Sequence, residues 1–167
     1  MGAVYKALDE KLDSIIALKE LIPPFGDQKQ QKQSTDWFER EAKILAKLDH
    51  ANLPKVSDYF VSGGRYYLVM NFVDGEDLET VLKKKGKPGL PEDKVIEWTK
   101  QVLVVMDYLH SQKPPIVYRD IKPANIMIHK DSRVMLIDFG IARTIQYGSQ
   151  TTKTVIGTPG YAPVEQF

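Results

Sequence analysis

The sequence predicts an α+β fold in two parts, a small strand–helix–strand part followed by a more helical one. Three observations carry this. Pairs of β-prone runs flank polar turns in the first part. An apolar set at helical spacing lies between the two pairs. One long apolar stripe, from Pro91 to Ser111, dominates the second part.

Val4 to Leu8 and Ile15 to Lys19 are β-prone and flank the polar turn Asp9–Asp13. Pro23-Pro24-Phe25-Gly26-Asp27 then breaks the chain, and the Gln/Lys tract from Gln28 to Gln33 is expected to be a solvated connector. Ser34-Thr35-Asp36 offers N-caps to a helix whose apolar positions are Phe38, Ile44, Leu45 and Leu48. Asp49–Asn52 should end that helix before Pro54. Val56 to Val61 and Tyr66 to Phe72 form the second strand pair, around the hairpin turn Ser62-Gly63-Gly64.

A short helix is expected over Leu78 to Lys85, ended by Gly86-Lys87-Pro88-Gly89. The longest helix follows, with Pro91 near its start and Val95, Trp98, Val102, Val105, Met106 and Leu109 as its apolar stripe. Beyond Pro114-Pro115 come the short segments Ile116 to Tyr118, Ile126 to His129 and Val134 to Ile137. A long polar stretch spans Thr144 to Thr154. No internal repeat is present.

Composition narrows the function classes. Lys plus Arg number 23 and Asp plus Glu 22, so no basic footprint points to nucleic acid or an anionic membrane. There are no cysteines, which removes disulfides and Cys-ligated metal centres and fits a reducing compartment. No apolar run approaches the roughly 18 residues of a membrane span. Met1–Lys6 lacks the apolar region of a signal peptide, and Lys6 stands where myristoylation needs Ser or Thr. The expected location is cytoplasmic, in a parent protein that could itself be membrane-anchored.

Four pieces then arrive in order: Ala17-Leu18-Lys19; Glu41 in the first helix; Tyr118-Arg119-Asp120-Ile121-Lys122-Pro123-Ala124-Asn125; and Asp138-Phe139-Gly140. Each is common alone. Together, in this order and each in fitting strand or helix context, they make the chain resemble the eukaryotic-type Ser/Thr protein kinases along essentially its whole length. The resemblance implies a two-lobed kinase fold, incomplete at both ends. Residues 1–73 would be the small lobe, with a hinge near 71–73, and 74–167 the upper part of the large lobe.

Phosphoryl transfer needs negative charge neutralised and two oxygens held in line, with little covalent work by the protein. The resemblance assigns Lys19 to the α- and β-phosphates of ATP, positioned by an ion pair to Glu41. Glu39 competes for that pairing, but two residues turn a helix by about 200°, and the Arg40-Glu41-Ala42 pattern favours Glu41. Asp120 would accept or orient the proton of the attacking hydroxyl. By the same resemblance Lys122 would add charge at the transferred phosphate, and a Lys two residues after the Asp, as in the Ser/Thr kinases and unlike the tyrosine kinases, implies Ser or Thr as acceptor. Asn125 and Asp138 are hard oxygen ligands suited to Mg2+.

By the same resemblance Met70 is the gatekeeper, and the backbone of Asn71 and Val73 bonds adenine. Val4, Ala17 and Met127 sandwich its ring, and Asp77 reaches the ribose. Arg119 would pair with a phosphorylated residue among Thr151, Thr152 and Thr154. Thr158 matches the threonine that contacts Asp120 and Lys122 near the protein substrate. Gly157-Thr158-Pro159-Gly160-Tyr161 resembles a protein-substrate platform and disfavours a small-molecule kinase.

Three departures from the family pattern stand out. Only Gly2 remains of the glycine-rich phosphate loop. Tyr118 stands where His is usual, an aromatic exchange that keeps the local stack. Pro163-Val164-Glu165 replaces Ala-Pro-Glu. The expectation is a truncated catalytic domain that is inactive by itself and leaves apolar surface of the Pro91–Ser111 helix uncovered. The alternative is a non-catalytic ATP-binding or interaction module derived from a kinase.

Overall fold

A computed structural model describes residues 3–22, 28–85, 87–118, 120–138 and 160–161, of which 28–33 and 37 by their backbone alone. The chain divides into two compact units, 1–73 and 74–167.

The first unit is an antiparallel four-stranded sheet in the order β1-β2-β4-β3, formed by β1 (Val4–Asp9), β2 (Ser14–Leu21), β3 (Val56–Ser62) and β4 (Arg65–Asn71). The β1–β2 turn closes where the Asp9 carboxylate accepts the N–H groups of Lys11 and Leu12 at 3.0 and 3.1 Å. The β3–β4 turn uses Gly63 and Gly64 at φ of +56° and +73°, the left-handed pair that a two-residue hairpin turn requires.

Helix α1 (Gln28–Ala46) lies against β3 and β4. It starts earlier than expected. The Gln/Lys tract is its first turns rather than a connector, and Ser34–Asp36 lies inside it rather than capping it. Gln and Lys are good helix formers, and the tract holds no Gly, Pro or β-branched residue to stop propagation back from the packed part. That part buries Phe38, Glu41, Ala42 and Leu45, an i, i+3, i+4, i+7 stripe. Phe38 stacks on Tyr66 at 4.8 Å and meets Tyr59 edge-on at 5.8 Å. Its 1% exposure corresponds to roughly 1.5–3 kcal/mol of apolar burial.

The second unit carries a three-stranded sheet, β5-β6-β7, made of β5 (Gly75–Asp77), β6 (Ile126–His129) and β7 (Val134–Leu136). Helix α2 (Leu78–Lys85) has its expected bounds, with three lysines in its last turn facing the negative end of the helix dipole. Helix α3 (Glu92–His110) runs between Pro91 and Ser111 at its caps, with Glu92 and Asp93 in its first turn. It packs on β7, where the Gln101 side chain accepts the Val134 N–H at 2.9 Å.

The α3 stripe is narrower than its spacing suggests. Of the six stripe residues only Val105 and Leu109 are buried, while Val95 is 43% exposed. A short sheet covers less of a helix face than a long periodic pattern can offer. The core of this unit is Val105, Leu109, Ile116, Tyr118, Ile126, Val134, Met135 and Leu136. No helix among the described residues is long and apolar enough to cross a membrane.

Candidate active site

In the first unit, strand register fixes which residues share a sheet face. Val4 lies opposite Lys19, Lys19 opposite Leu68, and Ala17 opposite Met70. Directly paired residues, and residues two apart, point the same way. Val4, Ala17, Lys19 and Met70 therefore share the face that carries Tyr66, on which Phe38 of α1 stacks.

Lys19 is 8% exposed and Glu41, on the buried stripe of α1, is 4% exposed. Glu39 instead pairs with Lys43 at 3.8 Å on the wet side of the helix. Asn71 donates its N–H to the Lys55 carbonyl at 3.0 Å, and Val73 is buried where the unit ends.

The second unit assembles the charged loop. A 3-10 turn, Pro123–Asn125, leads directly into β6, and the Asn125 N–H closes on the Lys122 carbonyl at 2.9 Å. The Asn125 side chain is 95% covered, and its Nδ2 donates to the Asp120 backbone oxygen at 2.8 Å and to Asp120 Oδ2 at 3.0 Å. Lys122 Nζ reaches the same Oδ2 at 3.0 Å. Asp120, Lys122 and Asn125 thus form one cluster, with the Asp120 carboxylate flanked by two donors. Because the amide nitrogen is spent on Asp120, Asn125 Oδ1 is left facing away from that carboxylate as a hard oxygen donor.

Asp138 follows β7 in a left-handed conformation, φ +63°, unusual for a residue other than glycine. Tyr118 links it to the loop. Its hydroxyl donates to the carbonyl of Ile137 and lies 3.4 Å from that of Asn125. The Asn125 carbonyl also receives the Ile137 N–H at 3.0 Å. Burial raises the Tyr118 phenol pKa well above its ordinary value, and the Asp138 and Asp120 carboxylates push it further in the same direction. Both carboxylates therefore lie within electrostatic reach of one buried ring.

Asp77 takes up a capping role. Its Oδ1 accepts the Thr80 N–H at 2.8 Å and its Oδ2 the Thr80 hydroxyl at 2.7 Å, so it caps α2. Desolvation pushes its pKa up, but the bonds from Thr80, together with those from the backbone N–H groups of Asp77 and Glu79, hold the group below its ordinary value. The Asp77-x-x-Thr80 spacing is a capping signal that a reading aimed at ribose passes over. Asp77 also lines an open depression of about 430 Å3 with Gly75, Glu76, Glu79, Thr80, Ala124, Met127 and Ile137. Met127 is thereby brought beside Asp77, its register partner in β5 and β6.

Gly2, Arg119, Thr151, Thr152, Thr154 and Thr158 lie outside the described residues, as do Phe139, Gly140 and Pro163–Glu165. Among the described residues no group of three or more His, Cys, Asp or Glu side chains forms a metal cage.

Comparison with known proteins gives one family. The protein kinase domain family matches residues 1–166. Serine/threonine-protein kinase B of Synechocystis sp. is 35% identical, over 99% of this chain and 30% of its own length. Serine/threonine-protein kinase PknF of Mycobacterium tuberculosis is 36% identical, over 99% of this chain and 35% of its own length. Among solved structures, PpkA in its apo form aligns with a TM-score of 0.70 at 25% identity, covering 85% of this chain and 55% of that one. Rad53 1–466 in complex with AMP-PNP aligns at 0.70 with 30% identity, over 84% of this chain and 35% of that one. The chain spans about a third of the length of these curated relatives. It belongs to the eukaryotic-type Ser/Thr protein kinase family, with the mixed helix and sheet fold of that family.

Proposed function

We propose that the protein transfers the γ-phosphoryl group of ATP to a Ser or Thr hydroxyl of a protein substrate. The observation that carries this reading is the Asp120–Lys122–Asn125 cluster: one carboxylate oxygen held by an ammonium and an amide, both about 3 Å away.

Asp120 is the group that takes or orients the proton of the attacking hydroxyl. The substrate oxygen bonds to the γ-phosphorus as the bond to the bridging β–γ oxygen breaks, and ADP leaves with that oxygen. Lys122 holds Asp120 Oδ2 and adds positive charge where the phosphoryl group passes. Asn125 through Oδ1, and Asp138 through its carboxylate, are the residues that would hold Mg2+. When bound, that ion neutralises charge on the phosphate oxygens.

Lys19 binds the α- and β-phosphates, and buried Glu41 is its positioning partner. Val4, Ala17, Met70 and Met127 contact adenine, Asn71 and Val73 bond it through their backbones, and Asp77 serves the ribose. Gly2 covers the phosphates. Arg119, with Thr151, Thr152 or Thr154 in phosphorylated form, is the regulatory pair, and Thr158 faces the protein substrate.

The test is transfer of labelled γ-phosphate by the full-length protein to a generic protein substrate with Mg2+. Asp120→Asn should lower kcat by about 100-fold or more, the usual worth of a positioned proton acceptor. Equal transfer by that variant would refute the assignment. Tight ATP binding with no transfer by the unaltered protein would instead favour the non-catalytic module.

A further inference from the structure

Behind the sheet face that carries Lys19 lies a buried carboxylate to which the proposed chemistry gives no task. Glu20 follows Lys19 along β2, so the two side chains leave the strand on opposite faces. The Glu20 side chain is 5% exposed although it lies on the face turned away from α1. A carboxylate hidden to that degree costs free energy unless its oxygens are paired.

Both oxygens are paired. Tyr5 donates its hydroxyl to Oε2 at 2.7 Å, and Arg65 donates Nη1 to Oε1. Tyr5 belongs to β1 and Arg65 starts β4, the two strands that flank β2. Each is a diagonal neighbour of Glu20, because Tyr5 lies opposite Leu18 and Glu20 lies opposite Tyr67. The Glu20 N–H adds a bond to the Ala3 carbonyl at 2.7 Å. The bond from Tyr5, then that from Arg65, hold Glu20 below the ordinary carboxylate range.

We infer that the Tyr5–Glu20–Arg65 staple is a positioning device for nucleotide binding. It fixes the stretch of β2 that presents Lys19 and the start of β1, where Val4 is held between Ala3 and Tyr5. An apolar trio of similar volume would join three strands without the desolvation cost. The directed pairings additionally fix strand offset, the quantity that decides where Val4 and Lys19 stand relative to each other. The inference rests on the reading of Lys19 and Val4 as nucleotide-holding residues, and Glu20 acts only through them.

The experiment is titration of the full-length protein with a fluorescent ATP analogue, paired with steady-state kinetics. Glu20→Leu should weaken nucleotide binding about five- to tenfold and raise KM for ATP to match, with kcat and the KM for protein substrate within about twofold. Glu20→Gln, which still accepts from Tyr5, should recover part of the affinity. Tyr5→Phe and Arg65→Met should each weaken ATP binding and add little in the Glu20→Leu background. If Glu20→Leu does not fold, those two single variants decide. Unchanged ATP affinity in the variants, with only a lower melting temperature, overturns the inference and leaves the kinase reading intact. No nucleotide binding by the unaltered protein would bring down the kinase reading itself, and the inference with it.

Discussion

Tyr118 does two jobs in one side chain. Its ring fills the core of the second unit at 5% exposure, and its hydroxyl donates to the carbonyl of Ile137, the residue before Asp138. Tyr118→Phe keeps the ring and strands that carbonyl, so it should cost about 1–3 kcal/mol in denaturant unfolding. Transfer activity should fall as well, because one of the two ties between the Asn125 loop and Ile137 is lost, leaving only the Ile137 N–H to the Asn125 carbonyl. The loss should not vary with pH, since burial and then the Asp138 and Asp120 charges keep the phenol protonated throughout the working range. An unfolding midpoint equal to that of the unaltered protein would show that the bond contributes nothing. At this scale the sequence marks candidates where residue types are unusual at fixed spacing, and the structure brings two of them, Asp120 and Asn125, into one cluster. The sequence is silent on Glu20, because adjacent Lys and Glu in a strand look like an ordinary wet edge until the register of three strands is known.

Elements were legible in proportion to their length and punctuation. Helices α2 and α3 and the β3–β4 hairpin follow from periodicity, Pro91 and the Gly63-Gly64 pair. The start of α1 does not, since a Gln/Lys tract is compatible with both helix and connector and packing further along the helix decides. Strand β5 was missed because it has three residues and begins with glycine, which argues against a strand. The structure explains that glycine. A Cβ on Gly75 would lie 2.2 Å from the Ile128 carbonyl oxygen of the neighbouring strand β6. Backbone cannot step aside as a flexible side chain would, so Gly75→Ala must push β5 off β6. The expected cost is about 1–3 kcal/mol, the range of an overpacked site. It should appear as a lower melting temperature, and as faster amide exchange at Asp77 and Met127, which pair across these strands. Unchanged exchange there would show that the strand pair absorbs the methyl group.

The whole chain is two compact units, and the residues proposed for phosphoryl transfer are distributed over both. Within the second unit the apolar content of α3 exceeds what its neighbours cover. Val95 and Ile96 are 43% and 46% exposed, and Leu103 and Val104 are 60% and 58% exposed. Scattered exposed apolar residues are normal, but four on one helix form a patch of the kind that drives association. A formal net charge of +1 offers little repulsion to oppose it. The 167-residue chain should therefore self-associate as its concentration rises. The paired change Leu103→Lys and Val104→Glu leaves the net charge as it is and breaks the patch. Light scattering should drop sharply, while stability moves by no more than about 0.5 kcal/mol, as is usual for surface positions. Stability is the decisive control. If scattering falls only because the chain unfolds, α3 is holding the unit together through this face. If scattering falls with the melting temperature unchanged, the face is surplus to the fold of this chain and available for association. Scattering that stays high in a stable variant would place the association surface elsewhere.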